Sequence, residues 1–499
     1  MYTVFLADDE PTALEYMEAI IEKKCPDYRI IGTAGDGWEA LEKVRELKPD
    51  VLIFDICMPV MDGLELSARM REEGSEVLMI VVSGYSEFDY ARTALQNGCM
   101  DYLLKPIVPK DAQKIFGKVT RELEKRYSRE RHKLLSHVCQ DGKIREEDMI
   151  KYFGGKKYYM ALVRYNGLPA RLSGGNGREV FSEPHEIIIT YGRDESESLY
   201  LFPEELVLGE KFEDIVMRRA KKELMADGYY TVILSEKPVA CEKIGETASA
   251  FYRCLGRNVI LGKTHIVNVD GYQEKKIEIE NDEQIMLEDF RYHVEKSEDH
   301  ATEQIMVKLL TRWMIKERPL LWIEHQVRNM AFQMKSAQYR FANDMDYAQR
   351  EYAIEELFSD AATEEQFIAG VRELLFCTKQ EEKRIEKLDT GEFMQQVEAY
   401  LLAHLENASA ARDATKEFGI SYTYLGVLFQ KYKGMSIKNY MTTLRMEKAK
   451  KIMAHDSSVL IRDVAERIGY SDQFYFSRVF RSCTGMCPSD YMDSLKNER

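Results

Sequence analysis

The sequence predicts a multidomain chain with a doubly wound α/β domain at the N-terminus, an α+β and helical middle region, and an all-α domain at the C-terminus. Three observations support this prediction. The length of 499 residues corresponds to roughly three domains at about 150 residues each. Short apolar runs alternate with amphipathic stretches near the start of the chain, which is typical of an α/β sheet. The end of the chain contains a repeated helical pattern.

The composition is that of an ordinary globular protein, with 45% hydrophobic residues and only 12 Pro and 29 Gly. No run approaches the ~20 apolar residues that a membrane helix needs, and Asp8-Asp9-Glu10 interrupts the N-terminus before a secretory apolar core can form. We therefore expect a cytoplasmic protein with no membrane partner. The nine Cys are scattered without a C-x-x-C pair, which argues against a zinc site.

The N-terminal sheet is predicted from five short apolar or β-branched runs. They cover residues 2–7, 30–34, 51–54, 79–83 and 101–104. The stretches 12–24 and 38–47, which lie between the first three runs, have the apolar spacing of amphipathic helices. Strands that alternate with helices in this way form a parallel sheet with right-handed crossovers.

Polar residues stand where the predicted strands end. Asp8 and Asp9 follow the first strand, Asp55 follows the third, Ser83 ends the fourth and Lys105 follows the fifth. Because ligands bind beyond the carboxyl ends of such strands, we expect these side chains to share one crevice. Clustered carboxylates need a cation, and a set of oxygen ligands favours Mg²⁺. Asp55 is then placed to accept a phosphoryl group, with the metal and Lys105 offsetting the developing charge.

Four motifs in this region resemble the receiver domain of bacterial two-component response regulators. They are ADDE at 7–10, DICMPVMDG at 55–63, SGYSEFDYARTAL at 83–95 and DYLLKPI at 101–107. The resemblance implies a flavodoxin-like fold, Asp55 as the phosphoacceptor, and a Mg²⁺ ion held by Asp8, Asp9 and Asp55. It also implies a sensor histidine kinase as the partner that donates the phosphoryl group.

The same resemblance implies a switch around the phosphorylation site. Ser83 would hydrogen-bond the phosphoryl group, Lys105 would pair with it, and the rotamer of Tyr102 would follow it. Receiver domains of this family often have a cis peptide bond before the residue that corresponds to Pro106.

Each of these carboxylates also has a structural interpretation when it is taken alone. Asp8 and Asp9 could cap the helix that begins near Pro11, and Asp55 could be an ordinary loop carboxylate. The convergence of four strand ends, each with the residue type that the chemistry needs, favours the functional interpretation.

The C-terminal domain contains an internal repeat, because residues 411–436 align with residues 461–488. Each copy has a helical stretch, a Gly-containing turn and a second helical stretch, which is the pattern of a helix-turn-helix. A connecting helix that held both second helices on one side of a duplex would place them in successive major grooves, about 34 Å apart. Residues 409–481 carry thirteen Lys and Arg against seven Asp and Glu, on a chain with a net charge of −15. This local basic excess suits a polyanionic partner.

The second copy, GYSDQFYFSRVFRSCTGMCPSDYM at 469–492, resembles the DNA-binding domain of the AraC/XylS family. The resemblance implies double-stranded promoter DNA as the partner and a role in transcription. It implies base-facing, apolar or phosphate contacts for six residues of this copy. They are Gln473, Ser477 and Arg478 toward bases, Phe474 and Tyr475 for apolar contacts, and Arg481 near phosphates.

The first copy departs from this pattern. Thr423 and Tyr424 are its candidate DNA contacts, but Gly426 and Val427 donate nothing to base edges. We therefore predict that its second helix reads thymine methyl groups or DNA shape.

The middle of the chain carries no recognisable catalytic motif. Its strand-like runs cover residues 157–164, 186–191, 198–202, 229–234 and 258–261. A charged helix precedes it, and the partial three-and-four spacing of Phe116, Val119 and Leu123 makes a second copy of the chain a candidate partner. The predicted segments are the receiver at 1–120, a helical linker at 121–150, an α+β linker domain at 151–275, a helical connector at 276–385 and the DNA-binding domain at 390–499.

Two functional interpretations follow from the sequence. The first is a transcription factor that is controlled by phosphorylation and is not itself an enzyme. The alternative is a receiver-controlled enzyme or adaptor whose activity lies in the middle region.

Overall fold

The computed structural model of the chain forms two compact units, Met1–Arg131 and His132–Arg499. The residues that the structure describes are 1–84, 93–139, 144–169, 178–182, 189–192, 196–207, 209–223, 228–273, 276–339, 347–376, 390–407, 410–420, 422–456, 459–470 and 473–497. The finer division into five segments remains a prediction.

The N-terminal unit contains a five-stranded parallel sheet in the order β2-β1-β3-β4-β5. Its strands are β1 (Tyr2–Ala7), β2 (Tyr28–Ala34), β3 (Val51–Asp55), β4 (Leu78–Ser83) and β5 (Asp101–Leu104). Its helices include α1 (Pro11–Lys24), α2 (Gly37–Leu47), α3 (Gly63–Glu72) and α4 (Pro109–Cys139). The predicted doubly wound α/β fold is confirmed.

Alternating burial explains why these segments form a sheet with helices on both faces. Val4 and Leu6 of β1 belong to one apolar core, whereas Phe5 and Ala7 belong to the core on the opposite face. Successive strand residues point to opposite faces, so a strand covered on both sides reads as a continuous apolar run. Asp36 begins α2 by accepting hydrogen bonds from the backbone of Trp38 and Glu39.

Helix α4 is continuous across the predicted boundary at residue 120. Phe116, Val119 and Leu123 are buried in the core beneath the receiver sheet. Packing within the domain therefore explains the apolar spacing that suggested a dimer seam. Homodimerisation remains a prediction.

The second unit begins with a mixed sheet in the order β12-β10-β6-β9-β8-β7, with β11 paired to β6. Neighbouring strands are antiparallel except β10 and β12, which are parallel. The strands are β6 (Lys157–Tyr165), β7 (Arg178–Ser182), β8 (Ile189–Gly192), β9 (Glu197–Pro203), β10 (Tyr230–Leu234), β11 (Val239–Ala240) and β12 (His265–Asn268). The helices around this sheet are α5 (Glu146–Phe153), α6 (Phe212–Glu223) and α7 (Ile244–Gly256).

Two details differ from the strand predictions for this region. The predicted run 186–191 lies partly outside the described residues, and β8 begins at Ile189. The predicted strand at 258–261 is wrong, because the strand forms at His265–Asn268 instead. Val259 and Leu261 are buried, but the carbonyl of Val259 accepts a hydrogen bond from the backbone of Leu320 rather than from a neighbouring strand.

A helical region follows the sheet, as the sequence predicts. Its helices are α8 (Asn281–Glu295), α9 (Asp299–Ile315), α10 (Leu320–Ser336), α11 (Tyr347–Ser359) and α12 (Glu364–Leu375). Trp313 of α9 is fully buried and packs edge-on against Trp322. In the part of the chain that the structure describes, no helix has both the length and the apolar character to cross a membrane.

The C-terminal region is all-α and contains both predicted helix-turn-helix copies. Its helices are α13 (Thr390–Ala403), α14 (Ala410–Phe418), α15 (Tyr422–Lys433), α16 (Ile437–His455), α17 (Ile461–Arg467), α18 (Gln473–Thr484) and α19 (Pro488–Asn497). Gly419 and Gly469 have φ values of 64° and 86° at the two turns, a region that glycine enters without steric cost.

The connecting helix α16 contributes to the cores of both copies. Its first half places Ile437 and Met441 in the core of the first copy. Its second half places Met446, Ala449 and Met453 in the core of the second copy. The two halves of α16 therefore pack on different copies.

Candidate functional site

An acidic pocket lies at the carboxyl ends of β1 and β3. Asp8 and Asp55 are buried, with 7% of each residue exposed, and Asp9 is exposed. Each of these three carboxylates offers an oxygen within 4.8 Å of the others. Parallel pairing places Asp55 opposite Val82, one residue before the buried Ser83, so both polar residues lie at the same edge of the sheet.

Lys105 closes this pocket from the end of β5. Its Nζ lies 2.7 Å from Oδ2 of Asp8 and 3.2 Å from Oδ2 of Asp55. The backbone N–H of Lys105 donates to the carbonyl of Ser83 at 2.8 Å, which fixes the loop after β5 beside β4. The peptide bond between Lys105 and Pro106 is cis.

The electrostatics of the pocket reflect burial and the close charges. Burial raises the pKa of Asp55, and Asp8 adds to the increase, although Lys105 opposes it. Burial alone would lower the pKa of Lys105, but its contacts with Asp8 and Asp55 outweigh burial and raise this pKa. The ammonium group is therefore charged at neutral pH and neutralises part of the acidic pocket.

Local backbone contacts position the two buried carboxylates. The Asp8 side chain accepts a hydrogen bond from the backbone N–H of Glu10 at 3.0 Å. A loop, residues 56–62, joins Asp55 to α3, and a Cβ added at Gly63 would overlap the carbonyl oxygen of Asp55. Gly63 is a positioning residue that the sequence reasoning did not single out, although it ends the DICMPVMDG motif.

Tyr102 does not belong to the buried pocket. Its side chain is on the surface, with 43% of the residue exposed. The backbone N–H of Tyr102 donates to the Asp101 side chain, and Asp101 forms an ion pair with Lys118. The structure therefore brings together Asp8, Asp9, Asp55 and Lys105, and it places Ser83 at the same edge of the sheet. The Tyr102 ring is exposed.

The predicted DNA contacts lie on α15 and α18. In α18, the Ser477 hydroxyl donates to the backbone carbonyl of Gln473 at 2.7 Å. Tyr475 packs against Tyr470 and the core of the second copy, and Arg481 is partly buried near the end of the helix. In α15, Tyr424 packs against two separate cores.

Three of the predicted DNA contacts fall where the structure gives the helix but not the side chain. The side chains of Thr423, Phe474 and Arg478 lie outside the described residues. Their proposed roles stay predictions.

Comparison with known protein families finds one match near each end of the chain. Residues 4–116 match the family of the response regulator receiver domain, and residues 414–494 match a helix-turn-helix domain family. The chain therefore carries a receiver domain at its N-terminus and an AraC-type helix-turn-helix domain at its C-terminus.

Several curated proteins are similar to this chain. The uncharacterized transcriptional regulatory protein YesN from Bacillus subtilis is 35% identical over 163 residues, which are 33% of this chain and 42% of that protein. The transcriptional regulatory protein HptR from Staphylococcus aureus is 33% identical over 141 residues, which are 28% of this chain and 54% of that protein. The chain thus spans less than two thirds of either relative.

A solved structure, the REC domain of AraT from Geobacillus stearothermophilus, is 38% identical and covers 25% of this chain and 97% of its own, with a TM-score of 0.24.

Proposed function

We propose that this protein is a cytoplasmic response regulator that controls transcription after phosphorylation of Asp55 by a partner histidine kinase. The observation that carries the proposal is the meeting of Asp8, Asp55 and Lys105 at one end of a receiver sheet. The same chain ends in two linked helix-turn-helix copies, which would bind double-stranded promoter DNA.

The transfer step requires an oxygen nucleophile beside a cation. A carboxylate oxygen of Asp55 would attack the phosphorus of the donor, and the bond between phosphorus and the donor atom would break, which leaves an acyl phosphate on Asp55. Lys105 already lies within ion-pair distance of this carboxylate and would pair with the transferred group. The hydroxyl of Ser83 would donate a hydrogen bond to it.

The three carboxylates fit a bound Mg²⁺ ion, because their oxygens are close together and oxygen is the ligand that this ion prefers. Asp8, Asp9 and Asp55 would hold it. A bound ion would offset the negative charge of the incoming phosphoryl oxygens.

Phosphorylation must favour a conformation that already exists in equilibrium with the resting one. The exposed ring of Tyr102 would move inward as Ser83 and Lys105 turn toward the phosphoryl group. Homodimerisation and release of the DNA-binding domain are the two candidate outputs of this shift.

We expect Mg²⁺ to raise the melting temperature of the receiver domain in the full-length protein. An ion at 100 times its dissociation constant stabilises the folded state by about 2.7 kcal/mol. The measurement is thermal unfolding followed by circular dichroism, with and without MgCl₂ at constant ionic strength. Asp9→Asn should remove most of the increase in melting temperature, because it removes one of the three proposed ligands. The variant should still fold, because Asp9 is exposed and its loss leaves no buried group unpaired.

Asp27→Asn is the matched control for Asp9→Asn. Asp27 is also exposed but lies in the turn before β2, away from the carboxyl ends of the strands. This variant should respond to Mg²⁺ like the wild type. An equal increase in the Asp9→Asn protein would contradict the assignment of Asp9 as a ligand.

DNA binding by the phosphorylated full-length protein is expected to depend steeply on salt. Each phosphate contact adds about −0.9 to the slope of log K against log[salt], so about six contacts would give a slope near −5. The test is fluorescence anisotropy with the duplex that lies upstream of the protein's own coding region. A binding constant that does not change with salt would contradict readout by the basic C-terminal helices.

A further inference from the structure

The central turn of α15, the second helix of the first helix-turn-helix copy, is buried on all sides, whereas its last turn, residues 430–433, is exposed. Five consecutive residues are buried, namely Leu425, Gly426, Val427, Leu428 and Phe429. With 3.6 residues per turn, five consecutive residues point in every direction around a helix. A helix that packs only on its own domain buries one stripe of its surface, so something else must cover the outer face of α15.

Two different cores cover the two faces. Leu425, Leu428 and Phe429 belong to the core of the first helix-turn-helix copy. Val427 belongs instead to the core of the middle region, and α15 packs against α11 and α12 of that region. The outer face of α15 is therefore buried against the middle of the same chain.

Gly426 leaves room beside α15 for a side chain of α11. A Cβ added at this position would overlap the carboxylate of Glu356 on α11. Burial, with Asp360 nearby, raises the pKa of the Glu356 carboxyl to about 8, although Lys438 opposes the increase. A second contact joins the first copy to the middle region, since a guanidinium nitrogen of Arg412 donates to the side chain of Gln366 at 3.0 Å.

The internal repeat shows which residues of the second copy correspond to the buried face of α15. With the offset between Tyr424 and Tyr475, Gly426 and Val427 correspond to Ser477 and Arg478. These two residues of the second copy are predicted to face DNA bases. The face of α15 that would enter a major groove is therefore the face that packs on α11.

A carboxyl group of α11 lies close to a basic residue of the DNA-binding domain. Glu355, Glu356 and Asp360 lie on or directly after α11, and the carboxyl of Glu356 interacts electrostatically with Lys438 of the DNA-binding domain. Burial keeps Glu356 largely protonated at neutral pH, so Asp360 supplies negative charge beside the first copy, and carboxyl groups occupy the place of DNA. The second copy also contacts the middle region, because α18 lies against β7 and α6.

We propose that α11 is an internal docking partner for the groove-facing side of α15, so that the middle region and DNA compete for the same helix. This inference rests on the proposed function. It assigns Gly426 and Val427 to packing against the chain itself, which accounts for a helix whose groove-facing positions offer no hydrogen bonds to bases.

The test uses the full-length protein without a phosphoryl donor. Glu356→Arg and Asp360→Arg each place a cation next to the basic residues of the first copy and should release α15. We expect amide hydrogen exchange across residues 422–433 to become at least about tenfold faster without DNA. We also expect at least about tenfold tighter binding to the duplex upstream of its own coding region.

Glu288→Arg is the matched control, because it changes the net charge equally on an exposed position of α8. It should leave exchange at 422–433 unchanged and alter DNA affinity by less than about threefold. The melting curve of each variant shows whether it folds. Because the charge is reversed at two separate residues, the test remains valid if one of the two variants fails to fold.

The outcomes separate the docking proposal from the proposed function. Unchanged exchange and unchanged DNA affinity in both folded reversals would overturn docking while leaving DNA binding intact. Faster exchange at 422–433 without affinity of any variant for DNA would support docking and contradict the proposed function.

Discussion

An Asp55→Asn protein is expected to take up no measurable label from radiolabelled acetyl phosphate, whereas the wild-type protein becomes labelled in the presence of Mg²⁺. The side-chain amide is a poor nucleophile, and its phosphorylated product would not be the acyl phosphate that the mechanism requires. We expect a loss of at least about 100-fold in the labelling rate, because the group that forms the bond to phosphorus is removed.

Asp27→Asn provides the control here as well, because it removes one exposed carboxylate without touching the pocket. It should be labelled at the wild-type rate. Asp55→Asn should also remain folded, since it removes a buried group whose pKa is raised by burial and by Asp8. Labelling that persisted in this folded variant would move the phosphoacceptor to another residue.

The second large effect concerns stability of the middle region. Arg164 on β6 and Glu197 on β9 form an ion pair at 3.4 Å with almost no exposure of either side chain. The guanidinium also donates to the backbone carbonyls of Gly167 and Leu168. Arg164→Met would remove the cation that faces a buried carboxylate, which costs about 3–5 kcal/mol. Urea denaturation followed by tryptophan fluorescence measures the change, because Trp313 and Trp322 report on the same unit.

The double variant Arg164→Met with Glu197→Leu tests whether the broken ion pair causes the destabilisation. When both charges are removed, no buried carboxylate has lost its cation, and the double variant should be more stable than Arg164→Met alone by at least about 1 kcal/mol. A single variant as stable as the wild type would show that the pair does not contribute to the fold of this region.

The acidic pocket could be predicted from sequence because its residues occupy fixed positions relative to strand ends. Asp8, Asp55 and Lys105 each follow a short apolar run, and parallel strands bring their carboxyl ends to one edge. No knowledge of distant packing is needed for that step. The exposure of the Tyr102 ring, in contrast, depends on side-chain packing, which the position of a residue relative to a strand end does not specify.

The middle region shows where such reasoning stops. Val259 and Leu261 of the predicted strand at 258–261 are buried, but burial does not specify a hydrogen-bonding partner, and the neighbouring His265–Asn268 forms the strand. The role of Gly426 was also inaccessible, because its close contact is with Glu356, on a helix that lies far upstream in the chain.

The connecting helix α16 has a consequence for how the two DNA-binding copies behave together. Its two halves complete the cores of different copies, so neither copy is a self-sufficient folding unit. Fraying of α16 would expose apolar side chains at both ends at once. Helix α16 therefore sets the distance between α15 and α18. If α16 melted, both copies would lose core residues at once, whereas a flexible hinge would let each copy search for its half-site separately.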